Sequence, residues 1–163
     1  MGALVEVARI SEVLISVMPE SSWWGIRFLD DKFLQNWDWS PFIETYRTTS
    51  GFTVKMSGSC HIEPDLTDWQ KTELGFIGWE VSEVFGCSCY ASPFLQSSEE
   101  ASLAVKSALE ALYFIYGVSE SCRLIGSNDD VNQLISKIPG IRFSRKSSAW
   151  YLSTGSRTRA DLR

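Results

Sequence analysis

The fold class is decided by the stretch SSEEASLAVKSALEALYFIYGV, residues 97–118 of the 163-residue chain. Serines precede two glutamates at its start and a glycine follows its last aromatic residue, and these residue types begin and end helices. The pattern therefore predicts a helix over Glu99–Tyr116. Its core face, at about 100° per residue, consists of Ala101, Ala104, Val105, Ala108, Leu112 and Ile115.

Two large apolar residues of this helix, Leu103 and Phe114, lie on the side opposite the core face. Lys106 and Glu110 flank them, so the outer side of the helix is not wholly polar. Either another part of the chain covers the two residues, which is the interpretation we favour, or a second subunit does. In the second case, Leu103 and Phe114 are the candidate dimer-interface residues.

Strand patterns precede this helix. Trp23–Leu29 is a predicted strand, and Phe42–Arg47 and Phe52–Met56 form a predicted hairpin around a Thr-Ser-Gly turn. A further strand covers Cys87–Phe94, and a helix covers residues 3–18.

Two shorter helices complete the pattern. Leu66–Trp79 is a predicted helix that begins at Asp65 or Thr67, with Gln70 in the position that completes a capping box. The other runs over residues 128–138 and has an asparagine cap.

The last predicted strands are Ile141–Phe143 and Trp150–Leu152, which pair across a basic turn. The arrangement of strands and helices predicts a single α+β domain over residues 1–154, with a mainly antiparallel sheet packed with two to four helices. Residues 155–163, GSRTRADLR, are either a disordered native tail or residues from a cloning vector.

Composition indicates a globular protein of the cytoplasm. Hydrophobic residues make up 44% of the chain and charged residues 21%, close to the averages for soluble proteins. The apolar runs are shorter than the ~20 residues of a membrane span, and the first residues lack the basic start of a secretion signal. Residues 1–136 carry 8 Lys and Arg against 19 Asp and Glu, whereas residues 137–163 carry 7 against 1. The acidic body argues against broad nucleic-acid binding, but the basic end leaves that question open locally.

The segment Leu66–Trp79, LTDWQKTELGFIGW, resembles a motif of the YbjN-like and type III secretion chaperone-like superfamily. In that motif, two residues separate Leu-Thr from a Gln, and Leu-x-x-Leu-Gly-Trp follows; Ile77 stands here at the second Leu. The family continues through a strand into a long Ala-rich helix ending in Tyr-Gly-Val or Phe-Gly-Val, here residues 116–118. The resemblance spans roughly residues 42–125. The proline often found after Gly-Trp is absent, and residues 128–152 are additional to the pattern.

The resemblance implies a small α+β fold, commonly dimeric, that holds extended or unfolded segments of another protein on hydrophobic sheet and helix surfaces. It implies no catalytic residue and no cofactor. The function indicated is therefore non-enzymatic binding of a polypeptide partner, in a chaperone-like or adaptor role. Trp37, Trp39 and Phe42 are the candidate partner-binding residues, because the two indoles lie in a turn-like segment with a proline rather than on a helical stripe. The alternative is that both indoles close the end of the core.

Residue types for catalysis and metal binding are sparse. His61 is the one histidine, and neither a Gly-x-Ser-x-Gly motif nor a protease cysteine context accompanies it. The cysteines Cys60, Cys87, Cys89 and Cys122, taken with His61, lack the spacing of a zinc site. We expect buried thiols, no bound metal and no enzymatic activity.

A nucleic-acid-binding module at residues 128–152 is the alternative function. This segment resembles a short helix-then-hairpin element of the HARP-type modules of annealing helicases. Its basic side chains would contact phosphates and its indole would stack on a base. The candidate residues are Lys137, Arg142, Arg145, Lys146 and Trp150. A basic, solvated hairpin that completes the sheet explains the same residues without a ligand.

Overall fold

The computed structural model describes residues 2–33, 40–58, 62, 65–84, 87–120, 122–137 and 142–143. These residues form four α-helices and one sheet of seven strands. The helices are α1 (Gly2–Ser16), α2 (Asp68–Phe76), α3 (Ser98–Ala111) and α4 (Asp129–Ser136), and a π-helical turn (Leu112–Tyr116) continues α3. The strands are β1 (Ser22–Leu29), β2 (Phe42–Arg47), β3 (Phe52–Ser57), β4 (Glu80–Val84), β5 (Cys87–Ala91), β6 (Arg123–Gly126) and β7 (Arg142–Phe143).

The strands lie in the order β4-β5-β3-β2-β1-β6-β7. Strands β1 to β6 pair antiparallel with their neighbours, and β7 pairs parallel with β6. The predicted α+β class and mainly antiparallel sheet are therefore confirmed. The β6-α4-β7 unit lies beside β1, at the opposite end of the sheet from β4.

The predicted hairpin is formed by β2 and β3, with Thr45 opposite Val54. In its turn, the Thr48 N–H donates to the Gly51 carbonyl oxygen at 2.8 Å. A Cβ atom at Gly51 would lie 2.1 Å from the carbonyl oxygen of Leu95, so no larger residue fits there without a backbone shift.

The helices pack on one face of the sheet. Trp24, Ile26 and Phe28 alternate along β1 and belong to the same buried cluster as Val105 and Leu109 of α3. Helix α1 packs against α3, so the helical layer has its own outer surface away from the sheet.

The other face of the sheet is also buried around its centre. It carries Arg27 and Glu44, both almost fully buried. The Arg27 guanidinium lies over the Phe42 ring, 5.5 Å from its centroid, and the Tyr46 hydroxyl donates to the Glu44 carboxylate at 2.5 Å. Ring and hydrogen-bond contacts thus replace part of the solvation that these two charged groups lose.

The helix ends follow the predicted caps. Thr67 begins α2, its hydroxyl accepting from the Gln70 N–H while the Gln70 side chain accepts from the Thr67 N–H. Ser97 caps α3 and Asn128 caps α4. Gly117, with φ of 79°, ends the turn after α3.

The core face of α3 agrees with the prediction at Ala101, Val105, Ala108 and Leu112, whereas Ala104 is only partly buried and the buried residues Leu109 and Ala111 were not predicted. Ile115 is partly exposed, and Tyr116 is buried in the core. In the π turn the Gly117 N–H reaches back to the Leu112 carbonyl oxygen, and this wider turn changes the direction in which the last side chains point.

The strands show the larger differences. β4 and β6 were not predicted, and β5 ends at Ala91 rather than at Phe94. Arg142–Phe143 pairs in parallel with β6. The predicted pairing of that segment with Trp150–Leu152 lies outside the described residues.

Candidate protein-binding surfaces

Helix α2 exposes two aromatic side chains. Trp69 is 63% exposed and Phe76 is 80% exposed. They lie seven residues apart, so they project from the same side of the helix about two turns apart. Leu74 is the buried residue of α2. The helix therefore presents more apolar surface to solvent than an amphipathic helix requires.

Strand β4 is an edge strand that follows α2 in the chain. It pairs with β5 on one side, and no strand among the described residues pairs with its other side. Val81 is 61% exposed, and Ile77, between α2 and β4, is exposed as well. Such an edge presents N–H and C=O groups over about 17 Å for five residues. We call Trp69, Phe76, Ile77 and Val81 the α2–β4 surface.

Two hydrogen bonds fix this surface to α3 and its π turn. The Gln70 side-chain Nε2 donates to the Ile115 carbonyl oxygen at 2.8 Å. The Trp79 Nε1 donates to the Ser107 Oγ at 3.2 Å, and the Trp79 ring is buried. The exposed aromatic side chains are therefore carried by a segment that is anchored at both of its ends.

The chain around the α2–β4 surface is acidic. Residues 65–84 contain five acidic residues and one lysine, namely Asp65, Asp68, Glu73, Glu80 and Glu83 against Lys71. The Lys71 ammonium lies 3.9 Å from the Asp65 carboxylate. Burial, and secondly the charge of Asp65, raise the pKa of Tyr90 in the neighbouring strand β5. Residues 65–84 therefore carry a formal charge of −4.

A second surface lies between α1 and α3. A groove of about 770 Å³ runs between their outer sides, with Val5, Glu12, Leu103 and Lys106 among its lining residues. Leu103 is 67% exposed and Phe114 is 69% exposed. The favoured expectation that another part of the chain covers these two residues is therefore wrong for the described structure. We call this region the α1–α3 surface.

Of the three predicted partner-binding residues, the described part of the chain includes Phe42 alone. Trp37 and Trp39 lie outside the described residues. Phe42 is 3% exposed and lies under the Arg27 guanidinium, so its predicted role as a surface contact is corrected. The reason is that both faces of β2 are covered at this end, which buries Phe42 and its neighbours whatever their polarity.

The basic C-terminal residues of the alternative function are only partly described. Lys137 is exposed at the end of α4, and Arg142 occupies the first position of β7. Arg145, Lys146 and Trp150 lie outside the described residues. Nucleic-acid binding by this segment therefore stays a prediction.

Two of the cysteines, Cys89 and Cys122, are buried, whereas Cys60 and His61 lie outside the described residues. In the described ranges, no three His, Cys, Asp or Glu side chains cluster as candidate metal ligands. Nor does any helix found there have both the length and the apolar character that a bilayer crossing requires.

Trp69 and Phe76 were not predicted as surface residues. Their seven-residue spacing on the predicted helix was a usable signal, because it places two aromatic rings on one side with few apolar residues opposite them. Val81 gave no comparable signal, since β4 itself was not predicted.

Comparison of the chain with protein-family models, with curated proteins and with solved structures finds no match.

Proposed function

We propose that this domain is a non-enzymatic polypeptide-binding protein, chaperone-like or adaptor-like, that binds its partner on the α2–β4 surface. The observation that carries the proposal is the position of two exposed aromatic rings, Trp69 and Phe76, on the helix that leads into an edge strand. Exposed aromatic rings provide large contact areas when a partner removes them from water. The edge strand provides main-chain hydrogen bonds to an added strand.

The partner fits best as an extended segment. Main-chain groups of a partner pair with an edge strand only if they are not already paired within the partner. Val81 lies in register with Tyr90 and Met56, so an added strand would extend this cross-strand row with an apolar side chain next to Val81.

The charge of the surface specifies the partner further. Glu80 and Glu83 are exposed and point to opposite sides of β4, because side chains alternate along a strand. Lysine or arginine on either side of an added strand would therefore meet a carboxylate. We propose that the partner is a basic segment that also carries apolar residues. We propose further that binding takes place in the cytoplasm, because cysteines such as Cys89 and Cys122 are kept as thiols there.

Selection from a random library of 12-residue peptides displayed on phage tests this function. We expect enriched sequences to combine lysine or arginine with aliphatic or aromatic residues and to lack proline in their centre. The peptide that binds best would then be titrated by fluorescence anisotropy against the unmodified chain and against the variants Trp69→Ala and Phe76→Ala. Each substitution should lower the peptide affinity by about tenfold or more. Hydrogen exchange at the β4 amides should slow in the complex.

A matched control is Val17→Ala, since Val17 is 70% exposed and lies at the other end of the helical layer, after α1. It should leave the peptide affinity unchanged. The proposal would be overturned if no peptide were enriched, or if the enriched peptides bound Trp69→Ala and Phe76→Ala as tightly as the unmodified chain. Enrichment of acidic peptides would contradict the electrostatic part alone.

A further inference from the structure

The hydrogen-bond pattern of the sheet determines which main-chain groups of β4 point outward. Along an antiparallel pair, residues in register alternate between those that exchange N–H and C=O hydrogen bonds and those that do not, so every second residue of a strand turns both groups to the same neighbouring strand. The Ser92 N–H donates to the Val54 carbonyl oxygen at 2.8 Å. Tyr90, two residues before Ser92, therefore also bonds to β3, whereas its neighbours Ala91 and Cys89 bond to β4.

The same alternation continues into β4. Glu80 and Ser82 lie opposite the two residues of β5 that bond to β4, so they take up the hydrogen bonds between these strands. Val81 and Glu83 consequently turn their N–H and C=O groups to the other side, where no strand of the described residues lies. These two residues offer their main-chain donors and acceptors to an added strand.

The edge is closed at the start of β4 by the connection to α2. The Trp79 N–H donates to the Leu74 carbonyl oxygen at 3.0 Å, so this residue, two positions before Val81, already has its N–H satisfied. Strand addition therefore begins at Val81. Next to the closed end, the chain exposes the apolar side chain of Ile77.

We infer that the partner segment adds to β4 in the antiparallel direction and carries the pattern Lys/Arg-x-aliphatic-Lys/Arg, an inference that rests on the proposed function. In this register the first basic residue lies opposite Glu83, the aliphatic residue opposite Val81 and the second basic residue opposite Glu80. The antiparallel direction continues that of strands β1 to β6, and antiparallel pairs are slightly more stable per residue than parallel pairs.

The positions of the two carboxylates account for the spacing of the basic residues. The Glu83 carboxylate accepts from the Ser88 hydroxyl at 3.1 Å, and the Glu83 side chain lies on the same face of the sheet as Val81, two residues earlier. Glu80 lies on the other face, and both glutamates are exposed. Basic residues at the first and fourth positions of an extended segment also point to opposite faces, so each meets one carboxylate.

Titration of the full chain with the labelled peptide Gly-Ser-Lys-Thr-Val-Lys-Leu-Ser-Gly, followed by fluorescence anisotropy, tests the inference. N-methylation of this probe at its first lysine or at its valine removes an N–H that bonds to Glu83 or to Val81, and we expect the Kd to rise by about tenfold or more. N-methylation at the threonine or at the second lysine alters an N–H that points away from β4. The Kd should then change by less than about threefold.

The reversed peptide, Gly-Ser-Leu-Lys-Val-Thr-Lys-Ser-Gly, tests the direction of the added strand. It has the composition and charge of the probe, but it presents the same side chains to β4 only when it pairs in parallel. We expect its Kd to be about fivefold higher or more.

Charge exchange tests the register. Glu83→Lys should raise the Kd of the probe by about three- to tenfold, and a peptide with glutamate in place of the first lysine should recover most of the affinity. The affinity lost in Glu80→Lys should be recovered by glutamate in place of the second lysine instead. Glu12→Lys, at an exposed acid of α1, is the matched control and should have little effect. Circular dichroism melting of each variant separates loss of binding from loss of folding.

The outcomes that overturn this inference differ from those that overturn the proposed function. Both are overturned if no peptide binds in a way that depends on Trp69 and Phe76. The inference alone is overturned if such peptides are selected but the probe does not bind at about 1 mM protein. It is also overturned if the four N-methylated probes bind equally, if the reversed peptide binds more tightly, or if each glutamate peptide recovers affinity with the other lysine variant.

Discussion

The side-chain amide of Gln70 donates to the carbonyl oxygen of Ile115, 45 residues later in the chain, at 2.8 Å. The same side chain accepts from the Thr67 N–H at 2.7 Å as part of the capping box. One glutamine therefore satisfies a donor at the start of α2 and an acceptor in the π turn after α3. Because backbone groups at helix ends lack partners within their own helix, this side chain fixes the relative position of two elements.

Replacing Gln70 separates its two roles. Gln70→Ala removes both hydrogen bonds and should lower the free energy of unfolding by about 1–2 kcal/mol. Gln70→Glu keeps an acceptor for the capping box but has no donor for the Ile115 carbonyl oxygen, so we expect a loss of about 1 kcal/mol. Urea denaturation followed by circular dichroism measures both. Equal stability of Gln70→Ala and the unmodified chain would show that the contact with the π turn contributes nothing.

Removing negative charge from the edge strand should change peptide binding and its salt dependence. The double variant Glu80→Gln with Glu83→Gln should bind a selected basic peptide with an affinity about three- to tenfold lower at low salt. The decrease should be smaller in ~0.5 M NaCl, where exposed charges are screened. Glu12→Gln, an exposed acid on α1, is the control and should have little effect. Anisotropy titrations at both salt concentrations provide the comparison. A loss of affinity that is independent of salt would argue against an electrostatic contribution.

The stability of the protein should fall at alkaline pH because of Tyr116. Burial above all, and then the neighbouring Tyr90 and Cys89, raise the pKa of Tyr116 well above its ordinary value of 10.0. Above pH 10 the unfolded chain releases this proton while the folded chain keeps it, so the free energy of unfolding decreases by up to about 1.4 kcal/mol per pH unit until the folded pKa is reached. Below pH 10 the contribution is complete.

Tyr116→Phe tests the assignment. The Tyr116 hydroxyl donates to the Ser57 carbonyl oxygen, so the free energy of unfolding of the variant should be about 1 kcal/mol lower near neutral pH. Its free energy of unfolding should decline less steeply between pH ~10 and ~11.5, measured by urea denaturation at several pH values. An identical alkaline decline in both proteins would assign the effect to other groups.

Asp30 should be among the most sensitive polar positions of the fold. Its carboxylate is buried and accepts from the Lys32 N–H at 2.9 Å and from the Ser119 N–H. Asp30→Ala leaves both donors without this acceptor and should lower the free energy of unfolding by about 2–3 kcal/mol. Glu20→Ala, at an exposed acid, should change the free energy of unfolding by less than about 0.5 kcal/mol. A similar loss in the two variants would mean that the buried carboxylate has no special role.

The helix ends were predictable because their signals are local. Thr67 with Gln70, Ser97 and Asn128 each satisfy backbone N–H groups within three residues, and that chemistry is visible in the sequence. The π turn was not predictable from the same rules. Its last residue, Tyr116, donates to the carbonyl oxygen of Ser57, 59 residues away in the chain, and a contact of that range has no local sequence signal.

The missed strands depend on distant partners. β6 has four residues, Arg123–Gly126, and gains its structure by pairing with β1 about one hundred residues earlier. β4 contains two glutamates among its five residues, so its pattern lacks the apolar alternation of a typical strand. Because β4 was not predicted, the position of Trp69 and Phe76 beside a sheet edge could not be predicted either.

The pairing of β1 with β6 also determines when the fold is completed during synthesis. Arg27 lies opposite Ile125, so one side of β1 has no strand beside it until the ribosome has added nearly a hundred further residues. At ~5–20 residues per second this interval lasts about 5–20 s. During that time one edge of β1 presents unpaired backbone N–H and C=O groups, and such an edge can pair with another chain until β6 has been made.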